Sequence, residues 1–334
     1  MKTTRLHAIV LGLLSSPVAL ADTPLPSLSL DKAQTTVSGL SSGGYMATQF
    51  HLAHSDWVSG AALIGTGPYY CAKGDIGVAL SQCVSKMETP INADALLNQA
   101  AQYQAQNKIP PLENLADDRV WILHGKLDKT VNRTAAETLV NQYTQWVTEG
   151  AVEFVGDKPF SHHFPTTSTG TACEESASPF IGNCDYDAAG ELLQFLYGEL
   201  QPKSEEPMGK LYSFNQQQLG GENAEGLGET GYLYVPESCT SEGCRLHISF
   251  HGCNQNAQAV GDAYASQTGL NAWADSNNIV VLYPQTKTSM FMPLNPQACW
   301  DWWGYSGEDY ATADGVQIKA VEHMVEQLLS NAMN

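Results

Sequence analysis

Short apolar runs alternate with amphipathic stretches along most of the chain. Thr35-Thr36-Val37 favours strand, and Tyr45, Met46, Gln49, Phe50 and Leu52 then recur at helical spacing. Gly60-Ala61-Ala62-Leu63-Ile64-Gly65 reads as a buried strand, and the Ala- and Gln-rich residues 93–107 as a helix. Arg119–His124 is a strand running into the turn Gly125-Lys126-Leu127-Asp128. A helix over Ala135–Val147, a strand over Ala151–Val155 and a helix over Asp187–Leu200 follow, the last with Leu192, Phe195 and Leu196 on one face. Such alternation predicts a parallel, doubly wound sheet.

The rhythm breaks at residues 201–228. Gln201–Pro207 is polar and punctuated by proline, and Gly220–Gly226 is flexible. Two readings stand: a linker between domains, or a long surface excursion within one. Three strands come next, Gly231–Val235, Leu246–Phe250 and Ile279–Tyr283. Alone they make a poor domain; they look like the missing first half of the sheet. The helix Val316–Leu329 closes the chain, with Ile318, Val321, Val325 and Leu328 on one stripe, and no internal repeat is visible.

A length of 334 residues suits one α/β domain. Lys2 and Arg5, the apolar Ala8–Leu14 and the small-residue site Ala19-Leu20-Ala21 read as a signal peptide over residues 1–21. Export makes sense of eight cysteines, an even number that argues for disulfides. They fall into near-neighbour groups, Cys71 with Cys83, Cys173 with Cys184, Cys239 with Cys244, and Cys253 with Cys299. That grouping is one of many possible connectivities. No ligand-spaced His/Cys cluster points to a metal. The net charge of −19, or −21 without Lys2 and Arg5, repels nucleic acid and anionic membranes.

Gly39-Leu40-Ser41-Ser42-Gly43 is a G-x-S-x-G motif between the first strand and the first helix. That is the context of the nucleophile elbow of α/β-hydrolases, where the turn exposes a serine hydroxyl above the sheet. A serine needs a base, and the base an acid partner, in the chain order Ser, Asp or Glu, His. Asp128 follows the 119–124 strand, and His162 and His163 follow the 151–155 strand. The two histidines cannot be separated at this level. Asp117 and Asp118 precede their strand and read as a solvated edge; His124 and His251 read as structural. An oxyanion hole needs backbone N–H donors. Ser42 supplies one, and the turn after a strand in Phe250-His251-Gly252-Cys253-Asn254-Gln255 offers Cys253 for the other. In Cys299-Trp300-Asp301-Trp302-Trp303-Gly304-Tyr305 the three tryptophans cannot all point one way, so some are expected at the surface beside the site.

At these residues the chain resembles the extracellular poly(3-hydroxybutyrate) depolymerases whose catalytic domain is circularly permuted. Ser38–Ala47, Gly125–Asp128 with Val131, His162-His163-Phe164-Pro165-Thr166, Ser178–Gly190, His251–Gln255 and Cys299–Tyr305 carry the resemblance. It implies Ser41, Asp128 and His162 as the triad, selecting His162 over His163. It also implies an oxyanion hole from Ser42 and Cys253 and a Cys253–Cys299 disulfide; Trp302, Trp303 and Tyr305 are expected, from the aromatic stretch itself, to contact substrate. Many secreted relatives append a polymer-binding domain, and this sequence ends at Asn334 without one.

The expectation is therefore a single circularly permuted α/β-hydrolase domain over residues 22–334, its early strands supplied by 209–330. Its mostly parallel sheet carries helices on both faces. It is expected to be a secreted monomer without cofactor that hydrolyses short-chain hydroxyalkanoate polyesters. The rivals are an esterase for soluble short-acyl, feruloyl or acetyl-polysaccharide esters, and a non-catalytic polymer-binding protein.

Overall fold

The computed structural model describes residues 25–240 and 243–330, so the expected signal peptide lies outside the described residues. In chain order the strands are β1 (Ser29–Leu40), β2 (Val58–Ile64), β3 (Arg119–Leu123), β4 (Val152–Val155), β5 (Phe164–Thr166), β6 (Thr171–Ala172), β7 (Ile181–Asn183), β8 (Lys210–Asn215), β9 (Thr230–Val235), β10 (Gly243–Phe250) and β11 (Ile279–Tyr283). Eight of them form one sheet in the order β4-β3-β2-β1-β10-β11-β9-β8. All pairs are parallel except β11–β9 and β9–β8 at one edge. Strands from both sides of the polar 201–208 segment thus share one sheet. Residues 210–215, read from sequence as part of an excursion, are an edge strand.

Successive strand side chains point to opposite faces, and here they divide between two cores. Val37, Ala61, Leu63, Val120, Ile122, Ile248 and Leu282 pack with the helices Ser42–Ala53, Arg133–Tyr143 and Val316–Ser330. Leu40, Ala62, Ile64, Trp121, Leu123, Val281 and Tyr283 pack against Ala188–Tyr197 and Leu270–Ser276. Both faces are covered, which is why these strands read as continuous apolar runs.

One seam of this core is polar. Thr36 Oγ1 lies 2.7 Å from His247 Nδ1, Ser38 Oγ 2.8 Å from His247 Nε2, and Ser249 Oγ 3.0 Å from Tyr264 OH. These groups satisfy one another between β1 and β10, as buried polar atoms must. Burial holds His247 neutral, its pKa pulled down to about 3.

Beyond β4 the chain builds a second, three-stranded parallel sheet, β5-β7-β6. Its strands of two or three residues carry no legible periodicity. The loop that carries the two adjacent histidines leads directly into β5. Asp118 departs from the solvated edge expected of it: it is buried, and Oδ2 accepts from His51 Nε2 at 3.0 Å.

Candidate active site

β1 ends at Leu40, and the helix Ser42–Ala53 starts two residues later. Ser41 makes the turn with φ 58° and ψ −120°, a conformation uncommon for a residue with a side chain. Its N–H donates to Ile64 O on β2 (2.9 Å), and its carbonyl accepts from Tyr45 N–H (3.1 Å). The flanking glycines are steric requirements. A Cβ on Gly39 would lie 2.1 Å from Gly43 O, and one on Gly43 would lie 2.1 Å from Phe250 O. Only bare backbone lets the helix start against the ends of β1 and β10 together.

Asp128 and His162 come from the loops after β3 and β4. Asp128 Oδ1 accepts the N–H groups of Thr130 (2.8 Å) and Val131 (3.0 Å). His162 Nδ1 donates to Asp128 Oδ2 at 2.7 Å, with both side chains almost fully enclosed. Burial alone would raise the Asp128 pKa; the adjoining His162 and the Val131 N–H outweigh it and hold the carboxyl below its ordinary range. Asp128 fixes the Nδ1–H tautomer, so Nε2 is the nitrogen able to accept a proton.

His163 is turned away. Its Nε2 donates to Cys173 O (2.8 Å), its ring lies against Gly182, and burial lowers its pKa. The nearby Cys173 and Cys184 sulfurs are joined as a disulfide rather than free as thiolates. His124 Nε2 donates to Val131 O (3.0 Å), steadying the same turn. His251 Nδ1 donates to Gly252 O (2.7 Å) and Nε2 accepts from Thr286 N–H (3.1 Å), both structural bonds.

Two backbone donors border the serine. Ser42 is the first helical residue, so its N–H has no acceptor within the helix. Beyond β10, Gly252 N–H is held by Gln255 Oε1 (2.8 Å) and Asn254 N–H by Gln297 O (2.6 Å). Between them the Cys253 N–H donates to no group among the described residues. The Cys253–Cys299 disulfide fixes that turn to the aromatic stretch. The other disulfides join Cys71 to Cys83, Cys173 to Cys184 and Cys239 to Cys244.

The aromatic stretch divides its tryptophans by role. Trp300 is fully buried, against Phe250 and His251, and donates its backbone N–H to Ser42 Oγ (3.3 Å). Asp301 accepts the N–H groups of Trp303, Gly304, Tyr305 and Ser306, which curls the chain into a tight loop. Trp302 stacks on Tyr45 at 4.3 Å. Trp302, Trp303 and Tyr305 line a cavity of about 720 Å³ together with Ser41, Ser42, His162 and Cys253. The proposed substrate contacts, nucleophile, base and oxyanion donors therefore face one space, with Asp128 behind His162.

Sequence reading missed three contributors. Gly65 (φ +53°) packs behind the His–Asp pair: a Cβ there would lie 3.0 Å from His162 Nδ1 and 3.2 Å from Asp128 Oδ2. Gln255 joins the oxyanion turn to its surroundings. The mouth of the cavity is apolar, with Ile76, Leu80, Met292 and Leu294 lining it while all exposed. Only the apolar run Met290-Phe291-Met292-Pro293-Leu294 could have signalled the last of these.

The family model described as Esterase PHB depolymerase matches residues 230–331. A poly(3-hydroxybutyrate) depolymerase of Delftia acidovorans is 38% identical over 92% of this chain, which spans 62% of that relative's length. A polyhydroxybutyrate depolymerase of Talaromyces funiculosus is 34% identical over 93% of this chain and 94% of its own. The crystal structure of the PHB depolymerase from Penicillium funiculosum superposes with a TM-score of 0.86 at 33% identity, covering 92% of this chain and 99% of that one. A PHB depolymerase structure complexed with an R3HB trimer matches equally well, with a TM-score of 0.86. On this identity and coverage the chain belongs to the polyhydroxybutyrate depolymerase family of carboxylic ester hydrolases.

Proposed function

We propose that this protein hydrolyses the ester bonds of poly(3-hydroxybutyrate) or related short-chain hydroxyalkanoate polyesters through a serine acyl-enzyme. The observation that carries this is that His162, bonded to Asp128 behind it, lines the same cavity as Ser41 at its elbow and Cys253, whose N–H is uncommitted among the described residues. Ser41 Oγ attacks the carbonyl carbon as its proton passes to His162 Nε2. Asp128 holds the resulting imidazolium. The N–H groups of Ser42 and Cys253 receive the oxyanion. As the ester C–O bond breaks, His162 gives the proton to the departing hydroxyl. Water then attacks the acyl-enzyme, its proton goes to His162, and Ser41 leaves with that proton. The product is a hydroxyacid or oligomer ending in a carboxylate.

A polymer is favoured over a soluble ester by the rim. Met290, Phe291 and Met292 are 68%, 84% and 89% exposed, and Ile76 and Leu80 are 49% and 55% exposed. Clustered exposed apolar side chains mark a contact surface, and Ile76, Leu80 and Met292 line the same cavity as Ser41. We read residues 22–334 as one permuted domain acting outside the cytoplasm, a location supported by the four disulfides.

The test compares clearing of a polyester suspension with turnover of a soluble chromogenic butyrate. Ser41→Ala should abolish both, and an organophosphate should label wild type but not this variant. The pair Phe291→Ser and Met292→Ser should slow clearing while sparing soluble turnover. Soluble turnover without clearing by wild type would make the protein an esterase for small esters. Hydrolysis surviving in Ser41→Ala would refute the mechanism.

A further inference from the structure

Gln255 is fully buried, and its amide uses both ends. Oε1 accepts the Gly252 N–H at 2.8 Å. Nε2 donates to Pro179 O at 2.8 Å and to Phe180 O at 3.1 Å. Phe180 O also accepts the N–H of Phe164, two residues past His162, at 3.0 Å. From the same segment Ser176 Oγ donates to His162 O at 2.9 Å. One side chain therefore ties the turn carrying the Cys253 N–H to the loop carrying His162. The two come from opposite parts of the chain and meet through no strand pairing.

We propose that Gln255 is a positioning residue that fixes the distance between the oxyanion donor and the general base. The proposal rests on the triad and oxyanion assignments above. The geometry demands an amide. Only a group with an acceptor and a donor on one planar carbon meets an N–H on one side and two carbonyls on the other. Methionine has the length but neither hydrogen bond. Glutamate can accept from Gly252, but as a carboxylate it meets two carbonyl oxygens, and burial favours its protonated form. Protonated, it regains one donor. The Cys253–Cys299 disulfide anchors the turn on its other side, so losing Gln255 shifts the donor without releasing the whole loop.

The experiment measures kcat and KM on a soluble chromogenic ester for wild type, Ser41→Ala, Gln255→Met and Gln255→Glu, with thermal melts as a folding control. Gln255→Met should lose roughly 10²-fold in kcat, the scale of a lost oxyanion donor, with KM within about threefold. Gln255→Glu should regain at least about tenfold of that loss near pH 6, since its protonated acid restores the donor. A Gln255→Met enzyme within about twofold of wild-type kcat would overturn the proposal, as would a Glu variant no more active than Met. Should Gln255→Met not fold, the Glu variant decides alone: its activity relative to wild type rises from about pH 8 to about pH 6, and a ratio that does not rise overturns it. Activity in Ser41→Ala would instead overturn the triad assignment, so the two failures are distinct.

Discussion

Replacing Gly65 by alanine adds one methyl group behind the His162–Asp128 pair and tests whether that pair must be held to within a fraction of an ångström. The new Cβ would lie 3.0 Å from His162 Nδ1, 3.1 Å from His162 Cε1 and 3.2 Å from Asp128 Oδ2. Ordinary carbon contacts begin near ~3.5 Å, so the imidazole must retreat by about half an ångström. That retreat strains a 2.7 Å hydrogen bond. Displacements of this order cost roughly 10-fold to 100-fold in kcat. The backbone adds a separate cost: Gly65 has φ +53°, where a side chain is unfavourable by about 1–2 kcal/mol. In a protein of this size that lowers Tm by about 1.5–3 °C. Gly150 separates the two effects, because it has φ +85° and nothing within 4 Å of a built Cβ. Gly150→Ala should lose a few degrees of Tm and no kcat, whereas Gly65→Ala should lose both. Chromogenic ester kinetics and differential scanning fluorimetry suffice as assays. Equal kcat in the two variants would refute the claim that the space behind the pair is part of the catalytic apparatus.

Asp128→Asn should lower kcat by about 10⁴-fold, the size such a swap has in serine proteases, with little change in KM, because an amide no longer selects the Nδ1–H tautomer; ester kinetics check it. The buried histidines predict acid sensitivity. Burial lowers the His247 pKa to about 3 and the His251 pKa to about 4, against ~6.5 in the unfolded chain. The unfolded state takes up these protons first. Stability is thus full above ~6.5 and falls below it, by about 2 kcal/mol per histidine at pH ~5. Urea melts across that range should show the decline, with a flatter slope in His247→Gln; an unchanged slope would refute it. Replacing both Cys253 and Cys299 by serine opens a 46-residue span and should cost up to about 4 kcal/mol in urea melts. The backbone donor survives that change, so a drop in kcat alongside it reports the loss of a fixed turn.

The strand–helix rhythm was legible because the central strands are buried on both faces and read as apolar runs. Ser41, Asp128 and His162 stood out as candidates because Ser41 directly follows β1 and the other two lie in the loops after β3 and β4. Other features depend on residues distant in sequence. Asp118 reads as a surface charge until its partner His51 is known, 67 residues away. Gly65 has no visible role until His162 and Asp128 fold against it. β8 escaped notice because the Pro- and Glu-rich segment before it is polar and its own residues are mostly half-exposed. The adjacent histidines look equivalent in sequence. What distinguishes them is the Cys173 carbonyl that takes the His163 ring N–H.

The pairing of β1 with β10 also has a temporal meaning. Gly39 stands opposite Phe250 in register, so the strand that ends at the reactive serine completes its central neighbour only after more than two hundred further residues have been made. A chain still being synthesised has its serine and no oxyanion turn. Any fragment ending before Gly243 leaves one side of β1 open and the Cys253 donor missing. On the proposed mechanism such fragments should be inactive against a chromogenic ester. The strand order thus sets when the site can be completed: β1 gains its β10 neighbour only once Gly243–Phe250 has been made.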